Sequence, residues 1–310
     1  MITVYKSAEG GLCECKDFEE GEWLHVVNPS PSELEALISR WDVPADFLTD
    51  PLDYDERARI ERDEKNTLIL IRTPKRSERS SKIPFYTLPV GIILTDTAVI
   101  TITLSESEIL QEFIDGKIRN FRTSQKTRFV LQIFYRTALK FLKYLKEINR
   151  MTSVVEEEVH GGMRNEELLK LYNFERSLVF FTTSLRTNAL MFEKFNHSAC
   201  MKMNEEENDL FSDLMIENRQ ALEMANVYAK VMSGMMSAFA SIISNNVAIV
   251  VKFLTVVTIL FMIPTLVASI YGMNVPLPLQ ENLYAFPIVM LISMTLCVFG
   301  IFYFWHRNML

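Results

Sequence analysis

Two long apolar runs near the end of the chain restrict its fold more than any other feature. Residues 253–271 and residues 283–305 contain no Asp, Glu, Lys or Arg. A helix needs about 20 residues to cross the ~30 Å hydrocarbon core of a bilayer, so each run is long enough to span it. Neither run has the polar face that a helix at the surface of a soluble domain shows. The sequence therefore predicts two C-terminal transmembrane helices.

Charged side chains are concentrated in the part of the chain that precedes these runs. Of 32 basic and 39 acidic residues, only Lys252, Glu281 and Arg307 lie beyond residue 230. The formal net charge of −7 argues against a nucleic-acid binder, because such domains usually carry a basic surface. We therefore expect an acidic soluble body followed by a tail that contacts the lipid bilayer.

The charges that flank the two runs predict the topology. Lys252 precedes the first run and Arg307 follows the second, whereas the connection 272–282 contains no Lys or Arg. By the positive-inside rule we expect both termini, including the tail 306–310, in the cytoplasm and the connection outside. This is the topology of a multi-pass protein of the plasma or inner membrane. Because two spans cannot enclose an aqueous pore, any transport function requires a homo-oligomer.

The distribution of proline predicts a mixed α/β domain over residues 1–122. Seven prolines occur up to residue 89, and the next is Pro264. Proline and turn residues divide this region into short elements. Segments rich in β-branched residues on either side of polar turns predict two hairpins. The hairpins pair residues 59–62 with 67–73 and residues 90–94 with 99–104.

N-cap patterns predict where several helices begin. In each pattern a Ser or Asn stands three positions before a Glu, which allows the two residues to cap each other's backbone. Pro44 is expected to open one further short helix, after a first helix over residues 31–40. The patterns are Ser30 with Glu33, Ser105 with Glu108, and Asn204 with Glu207.

Beyond residue 122 apolar residues recur at helical spacing. We predict antiparallel cytoplasmic helices over residues 123–203 and a stalk helix over 204–252. No proline separates this stalk from the first membrane span, so one helix over 205–271 would be roughly 100 Å long. A coiled-coil tether that merely anchors the first domain is the alternative. Small and polar side chains just before the membrane favour instead the close packing of several such helices around a water-filled axis. These are Ser237, Ser241, Ser244, Asn245 and Ala248.

The end of the first span carries the most specific motif. Tyr271-Gly272-Met273-Asn274 stands where the span 253–271 ends and the outer loop 272–282 begins. With two terminal spans, a long stalk helix and an acidic α/β domain in front, the whole chain resembles the CorA family of divalent-cation channels. Lys252 and Pro264 also lie where the first span of that family has them.

The resemblance implies a funnel-shaped homopentamer that conducts Mg²⁺. The first span of each subunit would line the pore, and the second, 283–305, would face lipid. Gly272, Met273 and Asn274 would form an outer selectivity ring for hydrated Mg²⁺. The family needs no ATP, is driven by the membrane potential, and is closed by intracellular Mg²⁺ bound between its cytoplasmic domains. A zinc-transporting branch shares the tripeptide, so the motif leaves Mg²⁺, Co²⁺, Ni²⁺ and Zn²⁺ open.

The pore-lining residues are expected along one face of the first span, at steps of three or four inward from Asn274. Among them Leu254 and Val251 would form an apolar constriction that gates by dewetting. The family often has an Asn one turn below the constriction, where this chain has Ala248. Asn245 is the candidate substitute. The full set is Thr265, Met262, Thr258, Leu254, Val251, Ala248, Asn245 and Ser244.

Acidic residues are candidates for the regulatory Mg²⁺ site. The resemblance places Asp213 of the stalk helix at an inter-subunit ligand position. A cluster in the first domain could meet a neighbouring subunit, although solvated acidic faces are the alternative for each residue. In the outer loop Glu281 would attract cations. The cluster contains Asp46, Asp50, Asp53 and Asp55.

The sequence offers no support for an enzyme. Its four His residues lie far apart and form no metalloprotease motif, and there is no phosphate-binding Gly-rich loop. We therefore expect no catalytic residue and no catalytic cofactor, with Mg²⁺ as transported and regulatory ion. The alternatives left open are a zinc or other divalent-cation transporter of the same architecture and a membrane-tethered ion sensor that does not conduct.

Overall fold

A mixed β-sheet organises the first part of the chain. The computed structural model describes residues 1–8, 11–15, 22–78, 81–159, 165–197, 203–278 and 284–307. Within these ranges seven strands form one sheet in the order β2-β1-β3-β7-β6-β5-β4, in which β3 and β7 are parallel and every other pair is antiparallel. The strands are β1 Ile2–Ala8, β2 Gly11–Cys15, β3 Trp23–Val27, β4 Arg59–Arg62, β5 Thr67–Arg76, β6 Phe85–Leu94 and β7 Val99–Thr103.

The helices follow the predicted order along the chain. Two short ones precede the hairpins, a third follows β7, and the long ones come last, as expected for an α/β domain followed by helices. A 3₁₀ turn, Asp50–Leu52, follows the second helix. The helices are α1 Pro31–Trp41, α2 Ala45–Thr49, α3 Glu108–Ile114, α4 Lys126–Val159, α5 Asn165–His197, α6 Glu205–Tyr271 and α7 Ala285–His306.

The sheet has an apolar core on each face. In β5, Leu68 and Leu70 pack with α1 and α2 on one side, while Ile69 and Ile71 pack with α3, α4 and the ends of α5 and α6 on the other. Successive side chains of a strand point to opposite faces, so a strand covered on both faces is a continuous apolar run. This explains why β5 has no alternation of polar and apolar residues.

Two of the three predicted capping boxes are present. Ser30 Oγ accepts from the Glu33 N–H while Glu33 Oε2 accepts from the Ser30 N–H. Asn204 and Glu207 make the same reciprocal pair at the start of α6, with distances of 2.9 and 3.0 Å. Each pair satisfies two donors that a helix N-terminus would otherwise leave free. The predicted starts of α1 and α6 are confirmed.

The third predicted capping box, at Ser105, is wrong. Helix α3 begins three residues later, at Glu108, and its N-cap Ser107 makes no side-chain cap bond. Ser105 Oγ accepts instead from the Lys75 ammonium, at 2.7 Å. The Glu108 carboxylate accepts from the Tyr144 hydroxyl and pairs with Lys140. Both predicted partners are therefore engaged by other elements.

Both predicted hairpins are present, but β5 and β6 run further than expected. β5 continues through Pro74 and β6 begins before Pro89, although proline lacks the N–H that a ladder requires. Pro89 lies opposite Arg72 on β5, and pairing of β6 with its other neighbour starts only at Val90. The missing N–H of Pro89 therefore removes no ladder bond. The strands β1, β2 and β3 were not among the predicted elements.

Chain contacts divide the described residues into two units, Met1–Met236 and Ser237–Leu310. The first contains the sheet, helices α1 to α5 and the start of α6, so the predicted segments 1–122 and 123–203 belong to one compact unit. The second contains the rest of α6 and α7. Helix α6 is a single element of 67 residues, as the absence of a break between stalk and span predicted.

A buried amide joins α5 to the sheet. Strand β4 pairs with β5 only as far as Leu70, which leaves the backbone of Arg72 without a neighbouring strand on the side away from β6. Asn188 of α5 is fully buried; its Oδ1 accepts from the Arg72 N–H at 2.9 Å and its Nδ2 donates to the Arg72 carbonyl at 2.8 Å. The Arg72 guanidinium donates to the carbonyls of Tyr54, Glu56 and Thr87. These bonds fix the loop that carries Asp53 and Asp55.

We expect Asn188→Leu to lower the stability of the first unit by roughly 2–5 kcal/mol, because it strands a buried donor and a buried acceptor. The measurement is the denaturant midpoint of the detergent-solubilised full chain, followed by fluorescence of the buried Trp23. Asn173→Leu is the matched control, since the half-buried Asn173 amide makes no hydrogen bond with a described residue. Equal midpoints for the two variants would contradict the assigned role of Asn188.

Candidate functional site

Two helices are long and apolar enough to cross a membrane. They are α7 and the second half of α6, and almost none of their most apolar stretch is buried. A core helix of a soluble protein of this length would be largely buried. The exposed apolar surface therefore agrees with the two predicted spans, at 253–271 and 283–305.

The two spans pack through a close contact at Gly300. A Cβ at this position would lie 3.1 Å from Leu260 Cδ2 and 3.7 Å from Ile263 Cδ1, so the absence of a side chain allows α7 to approach α6. Along the same faces Val256 is completely buried and Ser293 is nearly so. These residues are three or four positions apart on α6 and seven positions apart on α7, which places each set on one side of its helix.

Pro264 lies within α6 and leaves one carbonyl without its helical donor. Proline has no N–H, so the carbonyl of Leu260, four residues earlier, loses its bond. The thiol of Cys297 on α7 points at this carbonyl, with an Sγ–O distance of 3.7 Å. In hydrocarbon an unsatisfied backbone group is costly, and a neighbouring helix can replace the lost donor. The contact explains how a proline is accommodated in the middle of a span.

Leu254, Thr258 and Thr265 of the predicted pore-lining set lie on the side of α6 that α7 leaves uncovered, whereas Asn245, eleven residues before Val256, lies on the same side as the α7 contact. Leu254, Thr258 and Thr265 are each two residues from a residue of the α7 contact, which is a rotation of about 200° around the helix. Leu254 is 62% exposed and Met262 63%. Val251, Ala248, Asn245 and Ser244 are also exposed. In a single chain this face has no partner among the described residues of α7.

The hydroxyl protons of two threonines on this face are already used in hydrogen bonds to the helix backbone. Thr258 Oγ1 donates to the Leu254 carbonyl at 2.8 Å, and Thr265 Oγ1 donates to the Phe261 carbonyl at 2.9 Å. Each hydroxyl oxygen keeps its capacity to accept. A hydrated cation presents the protons of its water shell, so such oxygens are suitable contacts for it.

The Gly-Met-Asn segment follows α6 in a tight turn. The Gly272 N–H donates to the Ala268 carbonyl and the Met273 N–H to the Ile270 carbonyl. A Cβ on Gly272 would lie 3.3 Å from the Ala268 oxygen, and the residue has no positive φ. Glycine therefore allows a close approach to the carbonyls of the last turn of α6, and it does not serve a left-handed turn. The Asn274 side chain is exposed and makes no hydrogen bond with any described residue.

Tyr271 holds the loop that contains the segment. Its hydroxyl donates to the carbonyl of Pro278 at 3.2 Å, across seven residues. A tyrosine at the end of an apolar helix can also anchor that end at the level of the lipid headgroups, so the bond to Pro278 is not evident from the sequence pattern. Glu281, the predicted outer-loop carboxylate, lies outside the described residues.

The candidate regulatory acids differ in whether their carboxylates already accept hydrogen bonds or form ion pairs within the chain. Asp50 Oδ2 accepts from Arg59 at 2.5 Å, and Asp53 Oδ1 accepts from the Asp55 N–H at 3.0 Å. Asp46 and Asp213 are exposed and make no ion pair with a described residue. No three His, Cys, Asp or Glu side chains converge as a metal site in the described ranges of one chain.

Asp213 stands beside a second carboxylate on α6. Burial, together with the negative charges of Glu217 and Asp213, raises the pKa of the half-buried Tyr135 hydroxyl. Asp213 and Glu217 are four residues apart, where like charges repel on a helix. A divalent cation bound near Asp213 would relieve this repulsion.

Comparison with known proteins identifies the architecture. A family model described as CorA-like Mg2+ transporter protein matches residues 18–307. The chain is 26% identical to the cobalt/magnesium transport protein CorA of Methanocaldococcus jannaschii over 98% of both chains. It is 22% identical to the magnesium transport protein CorA of Helicobacter pylori, over 95% of this chain and 93% of that one.

Solved structures agree on the fold. The complete CorA magnesium transporter structure from M. jannaschii matches with a TM-score of 0.82 and 22% identity, covering 98% of this chain and 97% of that one. The cytoplasmic domain of ZntB from Vibrio parahaemolyticus matches with a TM-score of 0.60 and 14% identity, covering 79% of this chain and 96% of that one. The match of the family model across nearly the whole chain shows that this protein belongs to the CorA family.

Proposed function

We propose that this chain transports divalent cations, principally hydrated Mg²⁺, down the electrochemical gradient as a homopentamer in the cell membrane. The observation that carries the proposal is the exposed Asn274 amide, which bonds no described residue, in a loop that begins where the first span ends. Membership of the CorA family and the names of the similar transport proteins support it. The protein is a transporter and not an enzyme.

The proposed filter acts on the hydration shell of the ion. Mg²⁺ gives up its six waters reluctantly, so a ring that contacts the shell costs less than one that coordinates the bare ion. Asn274 supplies a carbonyl oxygen without a fixed charge, and a neutral ring does not trap the ion. The Tyr271–Pro278 hydrogen bond would hold the loop while Asn274 contacts water.

Below the filter, the uncovered face of α6 would line the conduction path. Thr265 and Thr258 present oxygen acceptors to water, whereas Leu254 and Val251 present only carbon. A ring of such apolar side chains can close a pore by excluding water. Helix α7, on the opposite side of α6, would then face lipid.

Cobalt is the second candidate ion. The similar protein of M. jannaschii is named for both cobalt and magnesium transport. A filter that contacts only the water shell discriminates weakly between divalent ions of similar hydrated size. Competition of Co²⁺, Ni²⁺ and Zn²⁺ with Mg²⁺ in a liposome flux assay would rank the affinity of the transporter for these ions. A protein that binds the ions but does not conduct them would be a sensor instead.

The filter assignment predicts that Asn274→Ala lowers Mg²⁺ flux at least about tenfold, since an oriented hydrogen-bond acceptor to the ion's shell is lost. The assay is uptake into proteoliposomes that contain a Mg²⁺-sensitive dye. Pentamer assembly, measured by light scattering in detergent, should not change. Flux near that of the parent protein would refute the filter assignment.

The inner amide can be tested in the same assay. Asn245→Ala should slow flux if Asn245 replaces the missing amide at Ala248. Asn246→Ala is its control, because the neighbouring residue lies about 100° away around the helix. Equal flux in the two variants would leave Asn274 as the sole amide ring.

The topology prediction places both termini in the cytoplasm. In a background without cysteine, a cysteine introduced at Gln280 should react with a membrane-impermeant thiol reagent added to intact cells. A cysteine at Asn308 should react only after the cells are opened. Cys297 is best replaced by Ser in this background, because Ser keeps a donor for the Leu260 carbonyl. The reverse labelling pattern would overturn the orientation.

Regulation by Mg²⁺ predicts that the bound ion protects the first unit, Met1–Met236, from proteolysis. We propose that Mg²⁺ binds between subunits near Asp213 and favours the closed state, since loss of the ion leaves repelling carboxylates. Millimolar Mg²⁺ should slow proteolysis of the full chain, and Asp213→Asn should weaken this protection. Asp209→Asn, one turn earlier on α6, is the control. Identical digestion of all samples with and without Mg²⁺ would indicate a merely solvated acidic surface.

A further inference from the structure

An apolar groove of about 440 Å³ lies between α6 and α7. Its walls include Ile259, Ile263 and Leu266 of α6 and Leu296, Gly300 and Tyr303 of α7. The missing side chain at Gly300 deepens the groove, while the Tyr303 hydroxyl is a polar group near one end. The volume falls within the ~300–1,000 Å³ of sites that bind small apolar ligands.

The Lys and the Arg of the second unit both lie beyond the same end of this groove. Lys252 lies seven residues before Ile259, about two helical turns, and therefore on the same face of α6. Arg307 lies four residues after Tyr303 on α7, and its guanidinium carbon is 6.0 Å from the centre of the Tyr303 ring. The chain beyond residue 236 contains no other Lys or Arg.

The antiparallel course of the two helices explains this coincidence. Gly300 contacts Leu260 and Ile263, so positions earlier on α6 stand level with positions later on α7. Lys252 and Arg307 are thus both beyond the Ile259–Tyr303 end of the groove. Basic residues at the end of an apolar cleft between membrane helices match an acidic lipid headgroup above an acyl chain.

We propose that this groove binds one acyl chain of an anionic phospholipid, whose phosphate lies between Lys252 and Arg307. The apolar walls accommodate the chain, and the two cations favour an anionic headgroup over a zwitterionic one. The proposal requires that the two helices are inserted in a bilayer, but it is independent of which ion is transported.

Lipid titration of the detergent-solubilised full chain tests the proposal. Dioleoylphosphatidylglycerol and dioleoylphosphatidylcholine are added separately, and bound lipids per chain are counted by native mass spectrometry. We expect the anionic lipid to bind about tenfold more tightly, since each of two cations contributes attraction near the headgroup. Lys252→Gln combined with Arg307→Gln should abolish the preference, and Arg307→Lys alone should retain it.

A second pair of variants tests the groove itself. Leu296→Trp adds bulk to its wall and should reduce binding of both lipids. Val298→Trp, about 200° away around α7, should reduce neither. Equal affinity for the two lipids, or a preference that survives the double substitution, would overturn the proposal. It would also be overturned if Leu296→Trp changed the oligomeric state without changing lipid binding, because the groove would then hold a second copy of the chain.

Discussion

The packing of α7 against α6 depends on one backbone group that Pro264 leaves without a donor. A carbonyl cannot remain unpaired in hydrocarbon without a cost of several kcal/mol, so α7 must come close enough to supply a substitute. Cys297 supplies it, and Gly300 provides the room one turn later. This contact determines which face of α6 is covered. The candidate pore face and the groove between the two helices both follow from that choice.

Most of the fold could be predicted because its signals are local. Apolar length indicated the two spans, helical periodicity indicated the long helices, and reciprocal Ser–Glu or Asn–Glu pairs located the starts of α1 and α6. The failures came from tertiary competition. Ser105 has the pattern of a cap, yet Lys75 of a neighbouring strand takes its hydroxyl. Pro89 resembles a strand boundary, yet its missing N–H falls where no neighbouring strand pairs. Neither partner is visible in the sequence around these residues.

The site was predictable to different degrees for the same reason. The Gly-Met-Asn segment and the face of α6 that carries Thr258 and Leu254 follow from position along the helix. The thiol that supports the Leu260 carbonyl comes from 37 residues away and belongs to no motif. The acidic cluster shows why counting charges is not enough. Arg59 already pairs with Asp50, and Arg72 holds the neighbouring loop through two of its backbone carbonyls. Carboxylates that look equivalent in sequence therefore differ in their availability to a metal.

The bonding of Thr258 and Thr265 to their own helix has an electrical consequence. Because each hydroxyl proton points along the helix to a carbonyl, the oxygen turns its lone pairs outward. A pore lined in this way presents the negative ends of hydroxyl dipoles, although it carries no formal charge. An anion such as chloride would find no threonine proton to solvate it there. At these two positions, discrimination by the sign of the ion would then rest on the orientation of the hydroxyl groups. It would be nearly independent of pH, since a threonine hydroxyl does not titrate in the physiological range.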